Sequence, residues 1–285
     1  MIFRTYKPKH PLLRQMIQTF WYIEHRENSV TDMEPKMFPD GCYHMVFNLA
    51  VPHDYVDKDG RIYRPASSHM NAKQTELLKI RREGEVRIMG AIFEPYGLYA
   101  FLRTPACEIA GSVWDIEDLL GSTVREIEER LQEVPMIEDK FAILEHTFAS
   151  YIQQEVRLSP TVLFACQRII ESRGTISIAE LTSELQLSER SVERQFKMLV
   201  GITPKQFADI QRMRDVLKML NERPEQFIHI AHAAKFYDQS HFNHTFKKML
   251  GITPQQYVHN RDLLSDIYNT AKRDRGMIDG NTIKE

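Results

Sequence analysis

The chain has 285 residues, 42% apolar and 27% charged, with a net charge of −2 and a pI near 6.6. That length accommodates two domains with separate cores, and the near-neutral balance excludes a uniformly basic nucleic-acid-coating protein. Cys42, Cys107 and Cys166 show neither paired nor metal-binding spacing, which excludes a disulfide scaffold, and no apolar run approaches a membrane span.

The segment from Met1 to Met16 is basic but lacks the apolar core of a signal peptide, so a cytoplasmic protein with reduced thiols is expected. Aromatic and β-branched runs then predict strands at Phe20-Trp21-Tyr22-Ile23, from Cys42 to Leu49, at Arg61-Ile62-Tyr63 and from Val86 to Phe93. Pro39-Asp40-Gly41 is a turn leading into the second run, where Tyr43, Met45, Phe47 and Leu49 alternate with Cys42, His44, Val46 and Asn48. These features predict a small β-barrel or sandwich with one or two helices over residues 1–121, acting as a regulatory or sensor domain. Trp21, Tyr22, Tyr43, Met45 and Phe47 are candidates to line an apolar ligand pocket, with plain core filling as the alternative for each. Cys42 and His44 share a strand face, and His53 and His69 follow, but no His-x-His pair or Glu partner at short spacing completes a metal set. No phosphate loop or nucleophile motif is present. No metal, no cofactor and no catalytic residue are expected.

Residues 122–157 predict a helical connector. Val124, Ile127 and Leu131 mark one helix, and Phe141, Leu144, Phe148 and Ile152 a second, with Pro135 between them. The second stripe, spaced 3, 4 and 4, suits either a dimerisation face or packing against the β-rich domain.

The C-terminal part contains a repeat. Gly201-Ile202-Thr203-Pro204-Lys205-Gln206-Phe207 returns fifty positions later as Gly251-Ile252-Thr253-Pro254-Gln255-Gln256-Tyr257. Before the first copy, Ser188 can cap a helix whose Val192, Phe196 and Leu199 face inward while Arg190, Glu193, Arg194 and Lys197 face outward. Before the second, Asp238 can cap a helix with Phe242, Phe246 and Leu250 inside and Gln239, Ser240, Asn243, His244 and Lys247 outside. A short helix precedes each, opened in the first unit by the capping-box pair Ser177 and Glu180. Short helix, turn of about four residues, second helix is the outline of a helix-turn-helix, with base- and phosphate-directed side chains on the second helix. Between the units, Thr203 to Asn221 predicts one helix of about 27 Å, comparable with a B-DNA turn of about 34 Å. Residues 159–261 hold 14 Lys and Arg against 10 Asp and Glu, a net of +4, which leaves −6 for the rest. Only this part carries the sign that neutralises phosphates.

The run from Ala234 to Lys248, closed by Gly251 to Tyr257, resembles the signature of AraC/XylS transcriptional regulators over roughly Ser159 to Arg261. The resemblance implies seven helices, two helix-turn-helix units and asymmetric binding to DNA, with base-reading roles for Arg190, Glu193, Arg194, Gln239, Ser240, Asn243 and His244. Lys235 stands where the family usually has glycine, and Tyr237 where it has a small residue, so a differently built second turn is expected. Phe93-Glu94-Pro95-Tyr96-Gly97 and the residues on to Leu119 are similar to the N-terminal domain of one branch of these regulators.

The expectation is an α+β chain: a β-rich regulatory domain over 1–121, a helical connector over 122–157, a double helix-turn-helix domain over 158–261 and a C-terminal tail over 262–285. It would act as a promoter-binding activator. Double-stranded promoter DNA, a small-molecule effector, RNA polymerase and a second copy of the chain are the expected partners, with no membrane. The alternatives are a barrel enzyme fused to a DNA-binding module and a regulator controlled by a protein partner.

Overall fold

The structure is a computed structural model and describes residues 2–25, 35–65, 67–72, 75–81, 84–152, 158–224 and 226–259. The expected tail over 262–285 lies outside the described residues.

The N-terminal part contains strands β1 (Ile2–Tyr6), β2 (Ile17–His25), β3 (Lys36–Met37), β4 (His44–Asn48), β5 (Asp54–Val56), β6 (Ile62–Tyr63), β7 (His69–Asn71), β8 (Leu78–Arg81), β9 (Val86–Phe93) and β10 (Val113–Asp115). They form a six-stranded sheet, β1-β2-β9-β4-β7-β10, and a four-stranded sheet, β3-β8-β5-β6, with antiparallel pairing. The sheets stay separate, so the sandwich forms and the closed barrel does not. Strand periodicity divides the large sheet's side chains between two interiors. Phe20, Tyr22, Met45, Phe47, Met89 and Phe93 enter one core, while Trp21, Ile23, Val46, Ile88 and Ile92 enter the other, toward the four-stranded sheet. Both faces are buried, which is why the strands read as nearly continuous apolar runs.

Helices cover the first face: α1 (Gly97–Leu102), α2 (Ala106–Ile109), α3 (Ile116–Leu120), α4 (Thr123–Glu133) and α5 (Ile137–Tyr151). Phe141, Leu144 and Phe148 of α5 are at most 4% exposed and pack with Phe20, Phe47, Phe93 and Phe101, while Ile152 packs at the margin of the same core. This corrects the reading of the stripe as a dimerisation face, because its apolar surface is consumed inside the monomer. Within the expected connector, residues 153–157 lie outside the described residues, and α4 and α5 pack as a layer on the six-stranded sheet. Lys140 secures the junction between them, its buried ammonium donating to the carbonyls of Leu131 and Val134 at the end of α4.

A buried polar chain crosses the sandwich. The His69 Nδ1–H donates to the Ser67 carbonyl at 3.1 Å, which leaves Nε2 to accept from the Tyr55 hydroxyl at 2.7 Å. Tyr55 has then spent its proton, so His53 Nε2 donates to its oxygen at 2.9 Å. Burial pushes the His69 imidazole down to about 4, against the smaller opposing pull of the Ser67 carbonyl.

Two outcomes follow. Phe148→Ala should cost about 3–5 kcal/mol in chemical denaturation; a Phe148→Asp chain that stays folded and merely changes its association state would contradict the burial. His69 must stay neutral when folded but takes a proton near pH 6.5 when unfolded. Stability should therefore fall as pH drops from about 6.5 toward 4, by about 3 kcal/mol from this group. His69→Asn should flatten that slope, and an equal slope in the variant would contradict the assignment.

Candidate nucleic-acid interface

The C-terminal part contains α6 (Pro160–Glu171), α7 (Ile178–Leu185), α8 (Glu189–Val200), α9 (Pro204–Glu222), α10 (Phe227–Ala233), α11 (Gln239–Leu250) and α12 (Pro254–His259). Local chemistry sets the boundaries. Ser177 and Glu180 form the capping box of α7, Ser188 caps α8 at Ser191 N, and Asp238 caps α11 at His241 N. Gly201 and Gly251 end the two recognition helices in the left-handed region, at φ 86° and 72°. Thr203 and Gln206 box the start of α9, with Pro204 at its first turn, and Thr253 and Gln256 repeat the arrangement before α12.

The turn inside each unit uses a non-glycine residue in the left-handed region, Gln186 in the first and Lys235 in the second, both at φ 54°. Lys235 thus takes the conformation that glycine would take, at a cost of about 1 kcal/mol. The expected difference lies elsewhere: from left-handed residue to cap, Lys235 to Asp238 is one residue longer than Gln186 to Ser188. That longer turn carries Tyr237, 92% exposed.

On α8, Arg190, Arg194 and Lys197 are exposed and Glu193 is half-buried; on α11, Gln239, Ser240, Asn243, His244 and Lys247 are exposed. The two faces are in register at an offset of fifty: Arg190 with Ser240, Glu193 with Asn243, Arg194 with His244, Lys197 with Lys247. Among the described residues, Arg190, Arg194, Lys197 and Lys247 take part in no ion pair, whereas Arg168 is held by Glu184 and Glu171, and Arg212 by Asp209. These four unneutralised cations lie on the outward faces of the second helices, where phosphates would be met.

The inward faces build two cores joined by α9. Phe207, Ala208 and Ile210 pack with Val162, Ile169, Leu181 and Phe196; Met213, Val216, Leu217 and Leu220 pack with Ile230, Phe242, Phe246 and Tyr257. The N-terminal domain completes both. Tyr96 and Tyr99 join the first core, and Phe38 and Leu77 the second. Helices α1 and α2 lie along α8, leaving an open cleft of about 680 Å³ where Cys107 faces Arg190, Arg194 and Lys197.

The five residues considered for a ligand pocket are not brought together. Trp21 lines a small cavity between the two sheets with Ile23, Met37, His44, Val46, His53 and Tyr55. Tyr22, Tyr43, Met45 and Phe47 belong to the core beneath the helices, because adjacent strand residues point to opposite faces. Sequence reasoning missed what Tyr43 does: its hydroxyl lies 3.1 Å from the carbonyl oxygens of Val200 and of Ala106. It also missed that the buried Nε1 of Trp21, a residue lining the cavity, has no hydrogen-bond partner among the described residues. Cys42 and His44 are engaged locally, His44 Nε2 standing 3.0 Å from Asp40 Oδ2 and Gln18 Nε2 donating to the Cys42 sulfur at 3.4 Å.

Two family models match the chain, a helix-turn-helix domain over residues 181–260 and a domain of unknown function, DUF6597, over residues 4–115. The probable transcriptional regulator LumQ of Photobacterium leiognathi is 32% identical over 82 residues, covering 29% of this chain and 33% of that protein. The HTH-type transcriptional activator RhaS of Escherichia fergusonii is 23% identical over 164 residues, covering 53% of this chain and 59% of that protein. The chain thus spans from about a third to about three-fifths of the length of these relatives. Among solved structures, ToxT from Vibrio cholerae aligns with a TM-score of 0.45 at 12% identity, over 84% of this chain and 98% of that one. Residues 181–260 thus form a helix-turn-helix domain of the kind that AraC-type transcriptional regulators carry.

Proposed function

We propose that the protein activates transcription by binding promoter DNA through the outward faces of α8 and α11, under control of its N-terminal domain. The observation that carries this reading is the pair of capped, equivalent helices, each with unpaired cations outward, mounted on the two ends of one 19-residue helix. At about 1.5 Å per residue α9 is about 28 Å long, so two recognition helices can address neighbouring major-groove segments on one side of a duplex.

In this reading Arg190 and Arg194 meet base edges or phosphates at the first half-site, with Glu193 beside them. Gln239, Ser240, Asn243 and His244 meet bases at the second, and Lys197 and Lys247 hold phosphates. An Arg aligned on guanine donates to both O6 and N7, and Asn or Gln suits adenine. No residue is assigned a catalytic role. RNA polymerase is the partner of an activator, and the matched activator RhaS supports that sign of regulation.

The control input is a small-molecule effector in the N-terminal domain. The sandwich cavity supports it, its mostly apolar wall including His44, His53 and Trp21, whose buried indole donor is unsatisfied among the described residues. Its free volume of about 20 Å³ admits a water-sized group, so a larger effector must part the sheets. A second copy of the chain would pair through a surface other than the α5 stripe.

Affinity of the full-length protein for promoter fragments should fall steeply with salt, because phosphate contacts release counterions. Arg194→Ala should relax preference at one base position, by about 1–3 kcal/mol, with non-specific binding nearly kept. A loss spread evenly over all sequences would make Arg194 a phosphate contact, and salt-independent binding would contradict the DNA reading itself.

A further inference from the structure

The inter-sheet cavity and the helical domain are joined by one short stretch of chain. Met37, in β3, and His44, at the start of β4, both line the cavity. The six residues between them, Phe38 to Tyr43, leave the cavity and dock on the DNA-binding helices.

The contacts reach α8, α9 and α12. The Phe38 ring enters the core of the second unit, 5.6 Å from Tyr257 of α12 in an edge-to-face arrangement. The Asp40 carbonyl accepts from Gln211 Nε2 at 3.4 Å, near the middle of α9. Gly41 sits at φ +74°, and a Cβ there would lie 2.8 Å from the Phe207 ring, so both its conformation and its contact with α9 favour glycine. The Tyr43 hydroxyl shares its single proton between the carbonyls of Ala106 and of Val200, the last residue of α8. Directly after Val200, a Cβ on Gly201 would fall on that hydroxyl.

Tyr96 and Tyr99 support the first unit and Leu77 the second, but Phe38 to Tyr43 reaches both. A helix of this length bends at small cost, and α9 by itself leaves the two ends free to swing. A wedge that grips the end of α8, the middle of α9 and α12 removes that freedom. We propose that Phe38 to Tyr43 is a positioning segment that fixes the relative pose of the two recognition helices, and with it the half-site spacing the protein accepts. The segment is anchored at both ends in cavity-lining residues, and the buried His44–Asp40 contact at 3.0 Å ties its turn to the cavity wall. An occupant that displaces Met37 or His44 therefore changes which spacing is read. The inference rests on the DNA-binding reading above and adds how the N-terminal domain acts on it.

The test uses full-length protein and duplexes that the unaltered protein selects from a randomised pool. Those duplexes are rebuilt with one base pair inserted or removed between the half-sites, and with one half-site scrambled. The unaltered protein should discriminate against changed spacing by about tenfold or more. Phe38→Ala should reduce that discrimination to about threefold or less while leaving the affinity for the scrambled, single-half-site duplex unchanged. Tyr43→Phe, which keeps the ring and removes the bond to Val200, should shift the same ratio in the same direction and serves if Phe38→Ala fails to fold. Undiminished spacing discrimination in folded variants overturns the proposal, as does an equal loss of affinity on every duplex, which would reduce the segment to a packing element. If the unaltered protein selects no duplex at all, the DNA reading fails first and this inference with it.

Discussion

Helix α9 is shared by two cores, and the geometry of the DNA-binding region depends on that sharing. Its first half contributes Phe207, Ala208 and Ile210 to one unit, and its second half contributes Met213, Val216, Leu217 and Leu220 to the other. Neither unit can bury its apolar face without α9, so the two recognition helices cannot be separated as independent modules. The capping box at Thr203 and the left-handed Gly201 set where α9 begins relative to α8. The orientation of Arg190 and Arg194 toward solvent is thus a consequence of how the chain turns between these two helices.

The N-terminal domain is close-packed on both sides of its main sheet. Its large sheet is buried on both faces, by helices on one and by the small sheet on the other. A close-packed interior of this kind does not absorb a displacement locally, but passes it to the next rigid element. The polar groups inside it, His53, Tyr55 and His69, are hydrogen-bonded to each other and to the backbone, while the Trp21 indole donor is unsatisfied among the described residues. An unsatisfied buried donor costs about 1–3 kcal/mol, which a ligand acceptor or a water would recover.

The helical domain was legible in the sequence to a degree that the sandwich was not, and the reason is local. Ser188, Asp238, Gly201, Thr203 and Pro204 act through contacts within four residues, so their consequences can be read directly along the chain. The repeat then doubled the information. Strand partners lie far apart in sequence: β2 pairs with β9 and β4 with both β7 and β9, and nothing at short range announces this. The same limit explains the α5 stripe. Phe141, Leu144 and Phe148 define a buried face, but periodicity carries no information on whether a subunit or a sheet covers it. Tyr43 was invisible as an interdomain contact for the opposite reason, being an ordinary strand aromatic by pattern, with its hydroxyl partner 157 positions away.

In the proposed mode of binding, two recognition helices on one shared spine read one face of a duplex together. Hydroxyl-radical footprinting of the full-length protein on a selected promoter duplex tests this most directly. Two protected patches about one helical turn apart on the same face of the DNA are the predicted result. A single patch, covering only what one helix can reach, would contradict it.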